Sequence, residues 1–322
     1  DAPPVTTATP PLSGTQYTIR SGAYEAVIAS TGASLRVLRH GDRDLIVSFD
    51  ADEVRPDYRG TTLAPWPNRI VDGTYTFDGQ EIVAALTEPE RSHALHGLAS
   101  WVDFSEVAST ESSVTLATTI APQSGYPWRV RIETTYALAA DGLTQTVRAR
   151  NLSATPAPFG TGPHPYLKAG PAPLDEWTLA LPAASVLEVT PDRLSPVALH
   201  PVTDHDPDRF DRRAPRPLGD VQLDHAFTDL ETDAAGTAVL RMTDPSGVGV
   251  EVTWGAECPW VQVYTGDKPD GAANPAHRNG VAVEPMTCAP DAFNAAAYDY
   301  DAGLLVLEPG AEFAASWRIS AL

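Results

Sequence analysis

Cysteine is nearly absent: Cys258 and Cys288 are the only two in 322 residues, and they do not form a Cys-x-x-Cys pair. That weighs against a cysteine-built zinc site or a disulfide framework, so reduced, buried thiols are expected, with one bridge between them the alternative. No apolar run reaches the roughly 18–20 residues that cross a bilayer. Basic residues are also scarce, 22 Lys and Arg against 42 Asp and Glu, for a formal charge of −20. Such a field opposes nucleic-acid phosphates and anionic lipid but leaves a neutral, hydroxyl-rich ligand unaffected. No sustained helical period appears, and 30 prolines and 23 glycines leave little room for one. There is no Gly-rich phosphate loop, Ser-centred elbow or Cys–His nucleophile pattern.

Residues 1–15, DAPPVTTATPPLSGT, have little to bury and read as a disordered leader. They lack the charged and apolar regions of a secretory signal, so a cytoplasmic protein is expected, although a chain starting at Asp1 leaves trimming open.

From Gln16 onward the period is two. Tyr17–Arg20, Tyr24–Ile28, Ser113–Thr118, Trp128–Tyr136, Thr144–Arg150, Val248–Trp254, Val261–Tyr264 and Phe313–Ile319 are strand-like, with turn pairs such as Asp78-Gly79 and Asp141-Gly142 beside them. The expectation is an all-β fold with few short helices: a large antiparallel β-sandwich over residues 16–322, one domain without repeat or linker. The Pro/Asp/Arg-rich stretch Pro201–Pro217 reads as a long surface loop.

Four segments carry chemistry against this background. Gly162-Pro163-His164-Pro165-Tyr166-Leu167 fixes one imidazole between two prolines, each of which biases the preceding residue away from helix. Such a restrained titratable group suits proton transfer, against the alternative of a satisfied turn histidine. In Val281-Ala282-Val283-Glu284-Pro285, Glu284 shares a strand face with Ala282 and interrupts an apolar run. A half-buried carboxylate there has a raised pKa and suits a general base; a carboxylate paired with an arginine is the bland reading. Ala64-Pro65-Trp66-Pro67-Asn68-Arg69-Ile70 is a rigid loop delivering an amide and a guanidinium. His93-Ala94-Leu95-His96-Gly97-Leu98 offers three readings: metal ligation, plain loop histidines, or a ligand-facing His96, with Gly97 letting backbone approach the ligand. Leu223-Asp224-His225 and Trp260-Val261-Gln262-Val263-Tyr264 add an acid and an amide. Trp66 or Trp101 could stack on an apolar ring face.

Asn68-Arg69-Ile70, Leu95-His96-Gly97, His164-Pro165-Tyr166, Leu223-Asp224-His225 and a late strand Glu284, in that order, resemble the aldose 1-epimerase (galactose mutarotase) family from about Gln16 to the C-terminus. Two departures stand out: Gly160-Thr161-Gly162-Pro163 lies where many members carry Thr-Asn, and Pro65-Trp66-Pro67 precedes Asn68. The resemblance implies a β-sandwich and interconversion of the α- and β-anomers of a free hexose by a monomer or homodimer, with neither cofactor nor metal. His164 would be general acid, Glu284 general base and His96 a second imidazole near the ring oxygen. Asn68, Arg69, Asp224, Gln262 and Trp101 would hold the sugar. Three rivals remain. A carbohydrate-binding protein without turnover has no use for a paired acid and base. A hexose 6-phosphate or other modified aldose calls for several basic residues, of which Arg69 is the one clear candidate. Glycoside hydrolysis, with Asp224 and Glu284 as its two carboxylates, leaves His164 idle.

Overall fold

Alternation is cleanest in the strand Val130–Ala139, where side chains are fully and partly buried in turn until the exposed last residue. A period-two strand can bury one face only against another layer. A computed structural model describes residues 9–322 and shows that layer. Nine antiparallel strands form one sheet. Its order runs Ser105–Ser109, Ser113–Ile120, Val130–Ala139, Gly142–Asn151, Glu312–Ala321, Gly249–Trp254, Ala238–Thr243, Thr178–Ala180 and Arg216–Pro217. A six-stranded antiparallel sheet follows the order Tyr166–Leu167, Val281–Met286, Trp260–Tyr264, Asp224–Leu230, Ala183–Val189 and Pro196–Pro201. A smaller four-stranded sheet, Gln16–Ser21 to Arg43–Asp44, and several two-stranded ribbons complete the β-sandwich; the Asp78-Gly79 turn closes one ribbon.

The two faces of the six-stranded sheet have different fates. Val186, Phe227, Val261, Val263, Val281 and Val283 join Tyr136, Leu143 and Trp317 of the nine-stranded sheet in one continuous apolar core. On the opposite face, Leu187, Ala226, Trp260 and Met286 form a small satellite cluster with Cys288. The polar residues of that same face are left to line a pocket. Both cysteines are buried and free, and burial pushes the Cys288 thiol up to about 12.

Two segments differ from expectation. Pro201–Pro217 is not simply a surface loop: it contains the helical turn Pro207–Phe210 and a short strand, and Phe210 and Arg212 are each only 2% exposed. The Phe210 ring packs on His205, His225 and Phe227, while the Arg212 guanidinium bonds the Pro217 carbonyl at 2.7 Å. Within the expected leader, residues 1–8 lie outside the described residues, but Leu12, Ser13 and Thr15 donate backbone hydrogen bonds to Asp52, Ala51 and Ser30. Among the described residues no helix is long and apolar enough to cross a membrane.

Candidate active site

One wall of the pocket is a product of strand register. Glu284 pairs with Gln262, and Gln262 with Ala226; one step along, Ala282 pairs with Tyr264, and Tyr264 with Asp224. Residues two apart share a face, so Glu284, Gln262, Tyr264 and Asp224 project to the same side of three adjacent strands. Gln262 Nε2 donates to Asp224 Oδ1 at 2.7 Å. Tyr166 continues this face from the neighbouring edge strand, opposite Ala282.

His164 sits between two short strand pairings, Gly162–Pro163 with Thr62–Leu63 and Tyr166–Leu167 with Val281–Ala282. The flanking prolines favour this extended course, and the His164 carbonyl accepts a 2.7 Å bond from the Gly60 amide. The ring is thereby brought over Glu284, with Nε2 3.4 Å from Oε1. The side chains are 6% and 2% exposed, so the pair is largely desolvated by the surrounding protein. The Gly160-Thr161 departure has its own anchor: Thr161 bonds the Thr287 hydroxyl through its amide and the Leu63 carbonyl through its hydroxyl.

The facing wall is irregular backbone. Asn68 and His96 both adopt positive φ, +55° and +60°. They exchange hydrogen bonds: the His96 amide donates to the Asn68 carbonyl at 2.7 Å, and the Asn68 amide to His96 Nδ1 at 3.1 Å. An imidazole that accepts at Nδ1 carries its proton on Nε2 when neutral. Gly97 makes the turn possible. Its φ is +70°, and a Cβ there would lie 2.3 Å from the Ala64 carbonyl oxygen. The close approach is thus to the neighbouring loop, which the glycine was not expected to serve. His96 stands edge-on to His164, ring centroids 5.0 Å apart.

Arg69 is held by a bidentate pair with Glu88, at 2.7 and 2.9 Å, and Glu88 also accepts from Arg91 at 2.8 Å. Asp224, Gln262, Arg69, Asn68, His96, His164 and Glu284 all line one pocket of about 350 Å³, and Trp101, 54% exposed, stands at its rim. The structure thus brings together every residue expected for the site. His93 lies elsewhere: it is fully buried, contacting the Arg193 carbonyl and accepting from the Asp72 amide, which makes it a structural tie rather than a ligand-facing group. Trp66 is core, 3% exposed among Tyr126 and Phe293. Sequence reasoning missed Arg55, Tyr58, Glu88, Arg91 and Lys268, all of which line the pocket. None of these lies in a short motif; the one available signal was that a buried Arg69 demands an acidic partner.

Burial dominates the electrostatics. It lowers His164 to about 4, and it raises Glu284 well above the ordinary carboxylate range, with nearby Asp224 adding to the rise. Asp224 is raised by burial too, although Arg69 works against the shift. His96 is pushed well below the ordinary value by burial, with His164, Arg69 and Arg55 adding to it, which favours its neutral form. Burial pushes Glu88 up, but Arg69 and Arg91 outweigh it and hold this carboxylate below its ordinary value. Five lining side chains keep a buried polar atom without a protein partner: Arg55 Nε, Arg91 Nε, His164 Nδ1, Gln262 Oε1 and Glu284 Oε2. Donor atoms of His96, His164 and Glu284 lie within 4.8 Å of one another, the one set here able to hold a metal, through His96 Nε2 since Nδ1 is engaged.

The family model for aldose 1-epimerase matches residues 15–320. The uncharacterised protein YihR of Escherichia coli (strain K12) is 33% identical over 299 residues, 92% of this chain and 90% of that one. The GalM/aldose epimerase homologue from C. elegans superposes with a TM-score of 0.79 at 21% identity, covering 96% of this chain and 99% of its own. Galactose 1-epimerase from Lactobacillus acidophilus NCFM gives a TM-score of 0.75 at 17% identity, covering 95% and 94%. At those identities the two structures speak to the fold alone, which is the galactose mutarotase-like β-sandwich. The match across residues 15–320 settles the rest: this chain belongs to the aldose 1-epimerase family.

Proposed function

We propose that this protein is a mutarotase that interconverts the α- and β-anomers of a free hexose. The observation that carries the reading is the buried His164–Glu284 pair, 3.4 Å apart on the floor of a pocket otherwise lined by hydroxyl-binding groups. Glu284 takes the proton of the anomeric hydroxyl while His164 protonates the ring oxygen. The C1–O5 bond breaks and C1 becomes an aldehyde. Rotation about C1–C2 and reversal of both transfers close the ring on the other face, so neither group gains or loses a proton over the cycle. Neutral His96 donates from Nε2 toward the ring oxygen. Arg69, Asn68, Asp224 and Gln262 take the remaining hydroxyls, and the exposed ring of Trp101 covers a sugar face.

The desolvated setting sets the protonation bookkeeping. Burial prevails over the nearby charges and lowers His164. The resting pair therefore favours a neutral imidazole and a protonated carboxyl. At 3.4 Å the two groups titrate as a coupled pair, whose other one-proton form is the imidazolium–carboxylate pair that the chemistry uses. The active enzyme is the pair carrying one proton.

One observation favours a second reading, an aldose with an anionic substituent. Arg69 is not the lone basic residue of the pocket: Arg55, Arg91 and Lys268 line it too. Arg55 is 4% exposed and, among the described residues, has no carboxylate partner; its guanidinium bonds Ser34 Oγ and the Ser100 carbonyl and lies 4.3 Å from the Trp101 ring centre. Burial lowers it to about 10.

Polarimetry of fresh α-D-glucose, α-D-galactose and glucose 6-phosphate tests both readings. Accelerated mutarotation of either free hexose, surviving exhaustive chelation, is the expected outcome. Acceleration of the phosphate ester alone, lost in Arg55→Met, would replace the first reading with the second. Saturable sugar binding without any acceleration would make the protein a carbohydrate-binding module.

A further inference from the structure

The segment Pro201–Pro217, which the sugar chemistry leaves unused, brings a second group of metal-binding side chains together. The hairpin of Ala183–Val189 and Pro196–Pro201 forms the edge of the six-stranded sheet, with Val186 opposite His200 and Glu188 opposite Ala198. Glu188 and His200 are therefore diagonal neighbours on one face, and His200 Nε2 lies 2.8 Å from Glu188 Oε2. The chain then turns back and lays His205 flat on His200, ring centroids 4.5 Å apart and planes within 6°. Phe210, 5.5 Å beyond, backs His205 and anchors it to the core. One donor atom from each of Glu188, His200 and His205 falls within 4.8 Å of the others. All three side chains are partly exposed, so water has access to complete a coordination shell. Asp204, Asp206 and Asp208 flank His205 and make the loop strongly acidic.

We propose that Glu188, His200 and His205 form a binding site for a borderline divalent transition ion, of the zinc class, separate from the sugar pocket. Two imidazole nitrogens and one carboxylate oxygen suit Zn²⁺, Ni²⁺ or Cu²⁺, whereas Mg²⁺ and Ca²⁺ prefer all-oxygen shells. Binding replaces the Glu188–His200 hydrogen bond and turns His205 out of its stack so that its ring nitrogen meets the ion. Three protein ligands plus water leave an open position, and the ion clamps the 201–210 turn to the sheet edge. Because Phe210 also packs edge-on against His225, 4.8 Å away, the clamp bears on a wall of the groove beside the sugar pocket.

Isothermal titration of the untagged full chain with ZnCl₂ tests the site, with circular dichroism to verify folding. One saturable ion per chain is expected, with affinity weakened at least about 10-fold in His205→Ala and in Glu188→Gln. MgCl₂ should give no saturable binding. Glu284→Gln should bind zinc as the parent does, which separates this site from the buried His96, His164 and Glu284 group and from the mutarotase reading. The proposal falls if the parent shows no saturable zinc binding. It falls equally if a His200→Ala, His205→Ala double variant binds unchanged, or if Glu284→Gln alone abolishes binding.

Discussion

The two walls of the sugar pocket are built by different physics. Glu284, Gln262 and Asp224 stand on a regular antiparallel ladder, where register alone fixes which side chains are neighbours. Asn68 and His96 stand on the turns at one end of the short ribbon that pairs Arg69 with Leu95, where positive φ, one glycine and reciprocal backbone bonds do that work. The ladder wall is rigid because the opposite face of its strands is core, and it carries Glu284. The loop wall spends its hydrogen bonds on holding itself together and presents a neutral imidazole and a neutralised guanidinium. The contrast suggests that the ladder wall and the His164 turn supply the chemistry, and the loop wall the placement of the sugar.

Substitution on the ladder tests this most sharply. Glu284→Gln keeps shape and removes basicity, so mutarotation should fall by about 10²–10⁴-fold with sugar affinity retained. His164→Asn should fall as far; near-normal turnover in either variant, read by polarimetry, would remove that residue from the mechanism.

On the loop wall the large effect should be on stability. Glu88→Gln leaves the buried Arg69 guanidinium without its bidentate partner, at a cost of about 3–5 kcal/mol. Thermal or urea unfolding reads it directly. An unchanged midpoint would mean that Arg69 finds another anion, and the division of labour between the walls would weaken.

The pH–rate profile sharpens the view of the acid–base pair. Adding a second proton silences it, and that proton goes to a histidine lowered to about 4, so the acid limb should lie below the ordinary histidine range. Losing its single proton silences it as well, and that proton leaves a raised carboxyl, so the alkaline limb should lie above the ordinary carboxylate range. Both apparent values belong to the coupled pair. An acid limb near 6.5 would show that solvent reaches the pair and that burial does not govern it.

The smallest change is expected at the rim. Trp101→Ala should raise KM a few-fold, by about 0.5–1.5 kcal/mol of lost ring contact, and leave kcat unchanged. A fall in kcat would show that Trp101 positions the reacting centre and is more than a cover.

Period-two patterning was enough to read the sandwich, because a strand that hides one face announces it every second residue. Glu284 was legible for the same reason: an acid in phase with Ala282, inside an otherwise apolar run, has few structural excuses. His164 was legible because prolines restrict backbone locally, without help from the fold. Gly97 was only half-legible, since a glycine signals close approach but not what approaches. Glu88, Arg55 and Lys268 were not legible. Their spacing from the motifs carries no period, and only folding sets Glu88 against Arg69 or Lys268 against Asp57.

By itself, then, the sequence determined the fold class and the strand faces and pointed to His164 and Glu284 as candidates for the acid and base, all of which follow from local patterning along a strand or a restrained turn. Only the tertiary structure decided the 3.4 Å meeting of His164 with Glu284, the tautomer of His96, and the inversion of the pair's proton affinities. Those depend on desolvation, and how much water a side chain loses is a property of everything packed around it rather than of its neighbours in the chain.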